Sequence, residues 1–243
     1  MIYKYLFLII FFFATATANS PFQLGEKLDY TAQFNFIPAG ESSLEFVSID
    51  TLYGHPVYHI AYKANTGKVA DRFFKIRDQV DMWLDKSELY THRLSKKIRE
   101  GSFIKDIDTQ IDYKKHISIS NNDTVHISGK VRDPYSLFYY LRTIPLSVGE
   151  VFSFLTFESN KTTELKLKVT GKEFIKTKSG DYFCFVVKPY QDGKTLLKNK
   201  GDMQIWFSDD LNRFPVQVVV KLKFGTMTMK LKKISYPKGE KNH

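Results

Sequence analysis

Apolar and polar residues alternate along most of this 243-residue chain. In residues 28–36 every second position is apolar or aromatic and the positions between are mostly polar, which is typical of a half-buried β-strand. The turn sequence IPAGE follows, and Leu44 and Phe46 continue the alternation in a returning strand, so a hairpin is predicted. The same pattern predicts further strands at residues 56–64, 74–85, 89–99, 103–113, 116–128, 151–157, 163–175, 182–189, 202–208, 213–224 and 226–235.

About a dozen strands with short connections indicate an all-β fold, a curved antiparallel sheet that forms a barrel or half-barrel. One segment, DPYSLFYYLRTIP at residues 133–145, has helical spacing instead. It predicts a helix of about ten residues with Asp133 as N-cap, Pro134 at the first helical position and Arg142 in the last turn. A helix this short is marginal alone, so we expect it to pack on the sheet.

The N-terminus has the pattern of a secretory signal peptide over residues 1–18. Lys4 precedes an apolar run from Leu6 to Phe13, and Ala16-Thr17-Ala18 provides a small-residue cleavage site. The apolar run is shorter than the ~20 residues that span a membrane. We therefore expect a periplasmic or secreted protein, with residues 19–243 forming a single exported β domain that has no transmembrane segment.

The charge of the chain limits its predicted partners, and its cysteine content limits disulfide formation. The formal charge of +10 becomes +9 without the signal peptide, because Lys4 is its one charged residue. The basic residues are scattered, so nucleic acid is not a predicted partner, although anionic lipid headgroups would be attracted. Cys184 is the only cysteine, which excludes an internal disulfide. Its apolar neighbours, YFCFVVK, predict a buried structural thiol.

The sequence contains no local catalytic, metal-binding or cofactor-binding motif that we recognise. Asp209 and Asp210 are adjacent, lie in the turn-forming stretch SDDLN, and would point to opposite faces if extended, so we predict a hairpin turn. His55 and His59 would lie about 13 Å apart along a strand, too far to chelate one metal ion. We expect a protein that is not an enzyme and has no metal or cofactor, although a triad assembled from distant residues stays open.

Both tryptophans fall on the polar side of their strands, and this admits two interpretations. They pack across strands on the surface or beneath the helix, or that face lines a groove for an apolar ligand together with aromatic residues of the helix. The arginine of the helix either bonds the last carbonyls of the helix or a carboxylate from the sheet, or holds an anionic headgroup. The candidate ligand-binding residues are therefore Trp83, Phe138, Tyr139, Tyr140, Arg142 and Trp206.

Several motifs together resemble the bacterial exported domain-of-unknown-function family 3108. They are LGEKLDY with IPAGE, the Asp-Pro and Tyr-Leu-Arg of the helix, and IWFSDD with a following Pro-Val, and the resemblance runs from Phe22 to about Ile234. The residues that carry it are Gly25, Glu26, Pro38, Gly40, Glu41, Asp133, Arg142, Trp206, Asp209, Asp210, Pro215 and Gly225. The resemblance implies an exported protein and offers no catalytic residue. The final hairpin is also similar to that of periplasmic lipoprotein carriers, whose half-barrels shield acyl chains.

The leading functional hypothesis is a non-enzymatic periplasmic protein that binds an apolar or amphiphilic envelope molecule, such as a lipid or a lipoprotein acyl chain, in a groove of the sheet. The alternative is a scaffold or interaction module of envelope assembly that contacts a protein or glycan partner. A hydrolase of envelope polymers is a third interpretation, and it would need two convergent carboxylates from different strands.

Overall fold

The computed structural model describes residues 20–158, 160–192 and 202–237, so the predicted signal peptide lies outside it. Within these residues the chain forms strands, one α-helix and a short 3-10 helix at Ala70–Arg72. The strands are β1 (Lys27–Phe34), β2 (Ile37–Leu52), β3 (His55–Thr66), β4 (Arg77–Asp85), β5 (Thr91–Glu100), β6 (Phe103–Asp112), β7 (Ile117–Ser120), β8 (Asp123–His126), β9 (Val151–Glu158), β10 (Lys161–Thr177), β11 (Gly180–Tyr190), β12 (Asp202–Ser208), β13 (Pro215–Leu222) and β14 (Gly225–Ser235). The helix α1 is Ser136–Thr143.

All fourteen strands belong to one antiparallel sheet in the order β8-β7-β6-β5-β4-β3-β2-β1-β14-β13-β12-β11-β10-β9. The first strand pairs with the last, so the two ends of the described chain meet in the middle of the sheet. Strands β8 and β9 form its two edges, and the sheet does not close. The predicted all-β class, with a curved sheet and one short helix, is confirmed.

The connection between β8 and α1 partly covers the gap between the edges. The amide of Thr91 donates to the carbonyl of Val131, and Arg132 forms a parallel bridge with Thr156 of β9. Across the same gap, Lys96 Nζ lies 3.2 Å from Glu158 Oε1. The concave face of the sheet is therefore enclosed on most sides.

Two predicted boundaries differ from the structure. The prediction of one strand over residues 116–128 is wrong, because Asn121 adopts a φ of 52° and turns the chain between β7 and β8. Helix α1 begins at Ser136 and not at Pro134. Asp133 nevertheless accepts the amides of Tyr135 and Ser136 through Oδ1, at 2.8 and 3.1 Å, as an N-capping carboxylate would.

Helix α1 lies within the curve of the sheet and contacts both large core clusters. Leu137 and Leu141 pack with residues of β9 to β13, including Leu167 and Phe207. Tyr139 packs with Phe22 and with apolar residues of β1 to β5. The helix therefore fills one end of the concave interior and leaves space beyond it.

Candidate functional site

The space beyond α1 is a cavity of about 340 Å³ between the helix and the concave face of the sheet. This volume lies near the lower end of the range found for small-molecule sites. Most of the wall is apolar or aromatic. The apolar and aromatic residues of the wall are Tyr30, Leu44, Tyr62, Pro134, Tyr135, Leu137, Phe138, Leu141, Leu165, Leu167, Pro189, Met203, Ile205, Val218 and Met229.

The polar residues of the wall cluster mainly at one end of the cavity. Thr156 and Glu158 stand near the C-terminal end of β9, Thr163 near the start of β10, and Gln191 just after β11. Because neighbouring strands are antiparallel, these positions lie at the same end of the sheet. The Glu158 side chain is 56% exposed, so this end is the mouth of the cavity.

A buried lysine stands beside the mouth. The Lys96 side chain is only 10% exposed, pairs with Glu158, and places Nζ 5.7 Å from the centroid of the Tyr135 ring. Burial raises the pKa of Tyr135, and burial raises the pKa of Tyr62 to about 12, so both hydroxyl groups are neutral near pH 7. Among the described residues, the mouth thus offers the Glu158 carboxylate and several neutral hydrogen-bonding groups, and the Lys96 ammonium lies beside it.

An ion pair between Arg142 and Glu26 closes the opposite end. Arg142 Nη1 lies 2.5 Å from Glu26 Oε1, and Nη2 lies 3.0 Å from Oε2. The guanidinium also donates to the carbonyls of Asn212 at 2.9 Å and Pro21 at 2.7 Å. Both charged side chains are almost fully buried. Arg142 thus pairs a carboxylate, but this carboxylate precedes β1 and the two carbonyls lie outside the helix. Arg142 is not among the residues that line the cavity.

The two tryptophans do not line this cavity. Trp83 is stacked on His59 with ring centroids 4.6 Å apart, has the Arg93 guanidinium 4.8 Å from its ring, and donates to Asp50. This is the cross-strand packing of the first interpretation. Trp206 lies in a core cluster and donates to Glu173 Oε2 at 2.8 Å. Neither tryptophan is therefore among the residues that line the cavity beside the helix.

The three aromatic residues of α1 point to different surroundings. Phe138 lines the cavity. Tyr139 is fully buried and meets the ring of Phe22 edge-on at 4.9 Å. Tyr140 packs against Phe154 and has the Arg132 guanidinium 4.0 Å from its ring. Successive helical residues are about 100° apart, so three neighbours cannot share one face. Phe138 alone of the six candidate residues contributes to this cavity wall.

The acid pair and the cysteine lie where the sequence predicts. Asp210 Oδ1 accepts the amides of Asn212 and Arg213, each at 2.9 Å, and so forms the turn between β12 and β13. Asp209 pairs with Lys172 instead. Cys184 is buried, and burial raises the pKa of its thiol to about 12, which disfavours the reactive thiolate.

Among the described residues, no group of three or more His, Cys, Asp or Glu side chains is placed to hold a metal ion. In the same residues no helix has the length and apolar character needed to cross a membrane.

Sequence reasoning missed most of the cavity wall, which comes from nine strands and from α1. Alternation identifies Leu167, Ile205 and Val218 as inward-facing, but it does not show that a cavity separates them from the apolar residues on the other side of the interior. The size of this cavity depends on the curvature of the sheet and on how deeply α1 lies within it. Met203 and Met229 were the one available signal of a ligand-binding cavity, because methionine is common at adaptable binding surfaces.

Comparison with known proteins identifies a family and a fold. Residues 29–232 match the family described as Protein of unknown function (DUF3108). The structure is similar to that of a beta-barrel-like protein of domain of unknown function DUF1849 from Brucella abortus, with a TM-score of 0.61, 11% identity and coverage of 88% of this chain and 98% of that chain. The hypothetical protein CT021 from Chlamydia trachomatis gives a TM-score of 0.38 at 10% identity, with 88% of each chain covered. Comparison with curated proteins gives no match.

Proposed function

The chain belongs to the DUF3108 family of proteins of unknown function, and we propose that it binds a single-chain amphiphile of the cell envelope without chemical change. The observation that supports this is the cavity of about 340 Å³, which has an apolar body and a polar mouth. An acyl chain would occupy the body, and its polar head would meet the groups at the mouth. The predicted signal peptide supports a location of this binding in the periplasm or outside the cell.

The size of the cavity favours one acyl chain over a two-chain lipid. A volume near the lower limit for small-molecule sites holds one flexible chain, whereas a diacyl lipid would need a larger space. Each methylene that leaves water contributes about 0.8 kcal/mol, a factor of roughly four in affinity. Affinity should therefore rise about fourfold per methylene along a fatty-acid series and then stop rising when the chain fills the cavity.

The mouth is suited to a polar or ionic head. Lys96 can attract an anionic group, and Gln191 and Thr163 can donate or accept hydrogen bonds. Glu158 is mostly exposed and can turn away into solvent, whereas Lys96 is held in place by its burial. We infer that carboxylates bind more tightly than the corresponding alcohols.

A cavity-filling variant tests the proposal. Val218 lines the cavity, while Val219 is next to it on β13 and points to the other face of the sheet. Val218→Trp should abolish the fluorescence increase of dansyl-labelled undecanoic acid that the unmodified protein produces. The matched control Val219→Trp should retain it. Equal binding by both variants, with both folded by circular dichroism, would refute the cavity as the site.

A further inference from the structure

The turns at one end of the sheet form a rim of exposed aromatic and basic side chains. Since neighbouring strands are antiparallel, the β1–β2, β3–β4, β5–β6 and β13–β14 turns all lie at this end. We define the aromatic rim as residues 35–38, 67–75, 101–106 and 221–224. In the sheet these four turns are consecutive, so the rim is continuous in space.

Backbone hydrogen bonds join each turn of the rim to the next. The amide of Gly101 donates to Lys75 O at 2.8 Å, and the amide of Gly67 donates to Ala39 O at 2.9 Å. The amide of Asn35 donates to Thr226 O at 2.9 Å. The rim is therefore a built part of the sheet, and its side chains have defined positions.

Large apolar side chains project from every turn of the rim. Phe36 is 94% exposed, Phe73 is 87% exposed and Phe224 is 80% exposed. Phe103 and Ile104 are exposed on the β5–β6 turn. Such exposure costs solubility, and a cluster of this kind marks a surface that contacts something apolar.

The half-buried Asp71 pairs with Arg77, and six of the eight charged side chains in the rim are basic. Its exposed basic residues are Lys68, Arg72, Lys75, Lys105, Lys221 and Lys223. Asp106 is its one exposed acid, and Arg99 neutralises it through a bidentate pair. Lysine is depleted in protein–protein interfaces, whereas aromatic side chains beside lysines suit the boundary between anionic headgroups and acyl chains.

We propose that the aromatic rim docks on a lipid bilayer that contains anionic lipid. The phenylalanine side chains enter the headgroup region from separate hairpin tips, and the six basic side chains contact lipid phosphates. The mouth of the cavity, at the ends of β9 and β11, opens at the same end of the sheet. Docking would thus hold the mouth against the membrane, where an amphiphile enters or leaves without crossing bulk water.

Vesicle flotation of the purified protein tests this docking in the absence of any added amphiphile, so the result does not depend on the cavity being a binding site. The protein should float with phosphatidylcholine vesicles that contain phosphatidylglycerol and bind pure phosphatidylcholine weakly. The rim variant Lys68→Glu/Lys75→Glu/Lys221→Glu/Lys223→Glu should weaken binding by a factor of at least several hundred, since each basic residue near the surface adds roughly fivefold and four such factors multiply to about 600.

A control with the same change in net charge separates the rim from general attraction. Lys114, Lys115, Lys176 and Lys178 are exposed at the opposite end of the sheet, and reversing them to Glu should cost much less binding. Equal losses in the two quadruple variants would overturn the proposal, because only the net charge would then matter.

A second pair of variants tests the aromatic contribution. Phe36→Ser/Phe73→Ser/Phe224→Ser should lose most vesicle binding, while Phe183→Ser/Leu211→Ser, which removes exposed apolar side chains at the opposite end, should retain it. All five replaced side chains are exposed, and urea denaturation checks that each variant folds. Absence of flotation by the unmodified protein would refute docking on the bilayer. A concentration-dependent dimer that the rim variants dissociate would also overturn the proposal, because the rim would then contact a second copy of the chain.

Discussion

Replacing Arg142 by Met removes one half of a buried ion pair and should strongly destabilise the fold. The guanidinium donates to both Glu26 oxygens and to the carbonyls of Pro21 and Asn212. It thereby ties the last turn of α1 to the segment before β1 and to the β12–β13 turn. Met fills a similar volume but supplies none of these bonds.

The cost follows from what the substitution leaves behind. A buried carboxylate without its partner destabilises a protein by about 3–5 kcal/mol. Two backbone carbonyls that lose their donors add about 1 kcal/mol each. The total of about 5–7 kcal/mol is a large part of the 5–15 kcal/mol that typically separates folded and unfolded states. Arg142→Met should therefore lower the urea midpoint severely.

A double-mutant cycle isolates the pair. Glu26→Gln removes the buried negative charge, so Glu26→Gln/Arg142→Met should be more stable than Arg142→Met, with a coupling energy above about 2 kcal/mol. Urea denaturation followed by tryptophan fluorescence measures each free energy of unfolding. The exposed pair of Lys232 with Glu41 serves as the control, and Lys232→Met should hardly change the midpoint. Additive single effects, or a loss below about 1 kcal/mol in Arg142→Met, would refute the reasoning.

Three further predictions concern pH and turns. Burial lowers the pKa of His92, so as the pH falls the unfolded chain binds a proton before the folded chain does. The free energy of unfolding should therefore decrease below about pH 6.5. In urea denaturation, His92→Phe should make the free energy of unfolding less dependent on pH. Gly25→Ala should lower the Tm more than Gly54→Ala. Both glycines have φ near +80°, but only at Gly25 would an added Cβ lie 2.2 Å from the ring of Pro237. Equal changes in Tm would contradict this prediction. Asp210→Asn keeps an acceptor oxygen for the turn and should leave amphiphile binding unchanged, and loss of binding by the folded variant would show a role beyond the turn.

The strands and the helix could be predicted from the sequence because each depends on the local periodicity of apolar residues. Alternation located most strands, and the Asp-Pro start with a final Arg located α1. The Asn121 turn was missed because the alternation continues on both of its sides. Strand order lies beyond local patterns, since the pairing of β1 with β14 joins residues about two hundred positions apart.

The candidate site was less predictable for a related reason. The sequence places Trp83 and Trp206 on polar faces, but the partners that satisfy them, such as Asp50 and Glu173, come from strands distant along the chain. The cavity is defined by the absence of packing between distant apolar residues. Its existence depends on curvature, which a single strand pattern does not encode.

Methionine-methyl NMR tests the central claim most directly. Met203 and Met229 line the cavity, whereas Met82 and Met227 belong to the described chain outside its wall. In protein labelled at the methionine methyl groups, titration with a fatty acid should shift the Met203 and Met229 resonances and saturate at one equivalent, while the Met82 and Met227 resonances stay in place. Saturable binding that leaves Met203 and Met229 unshifted, or no binding at all, would contradict the account.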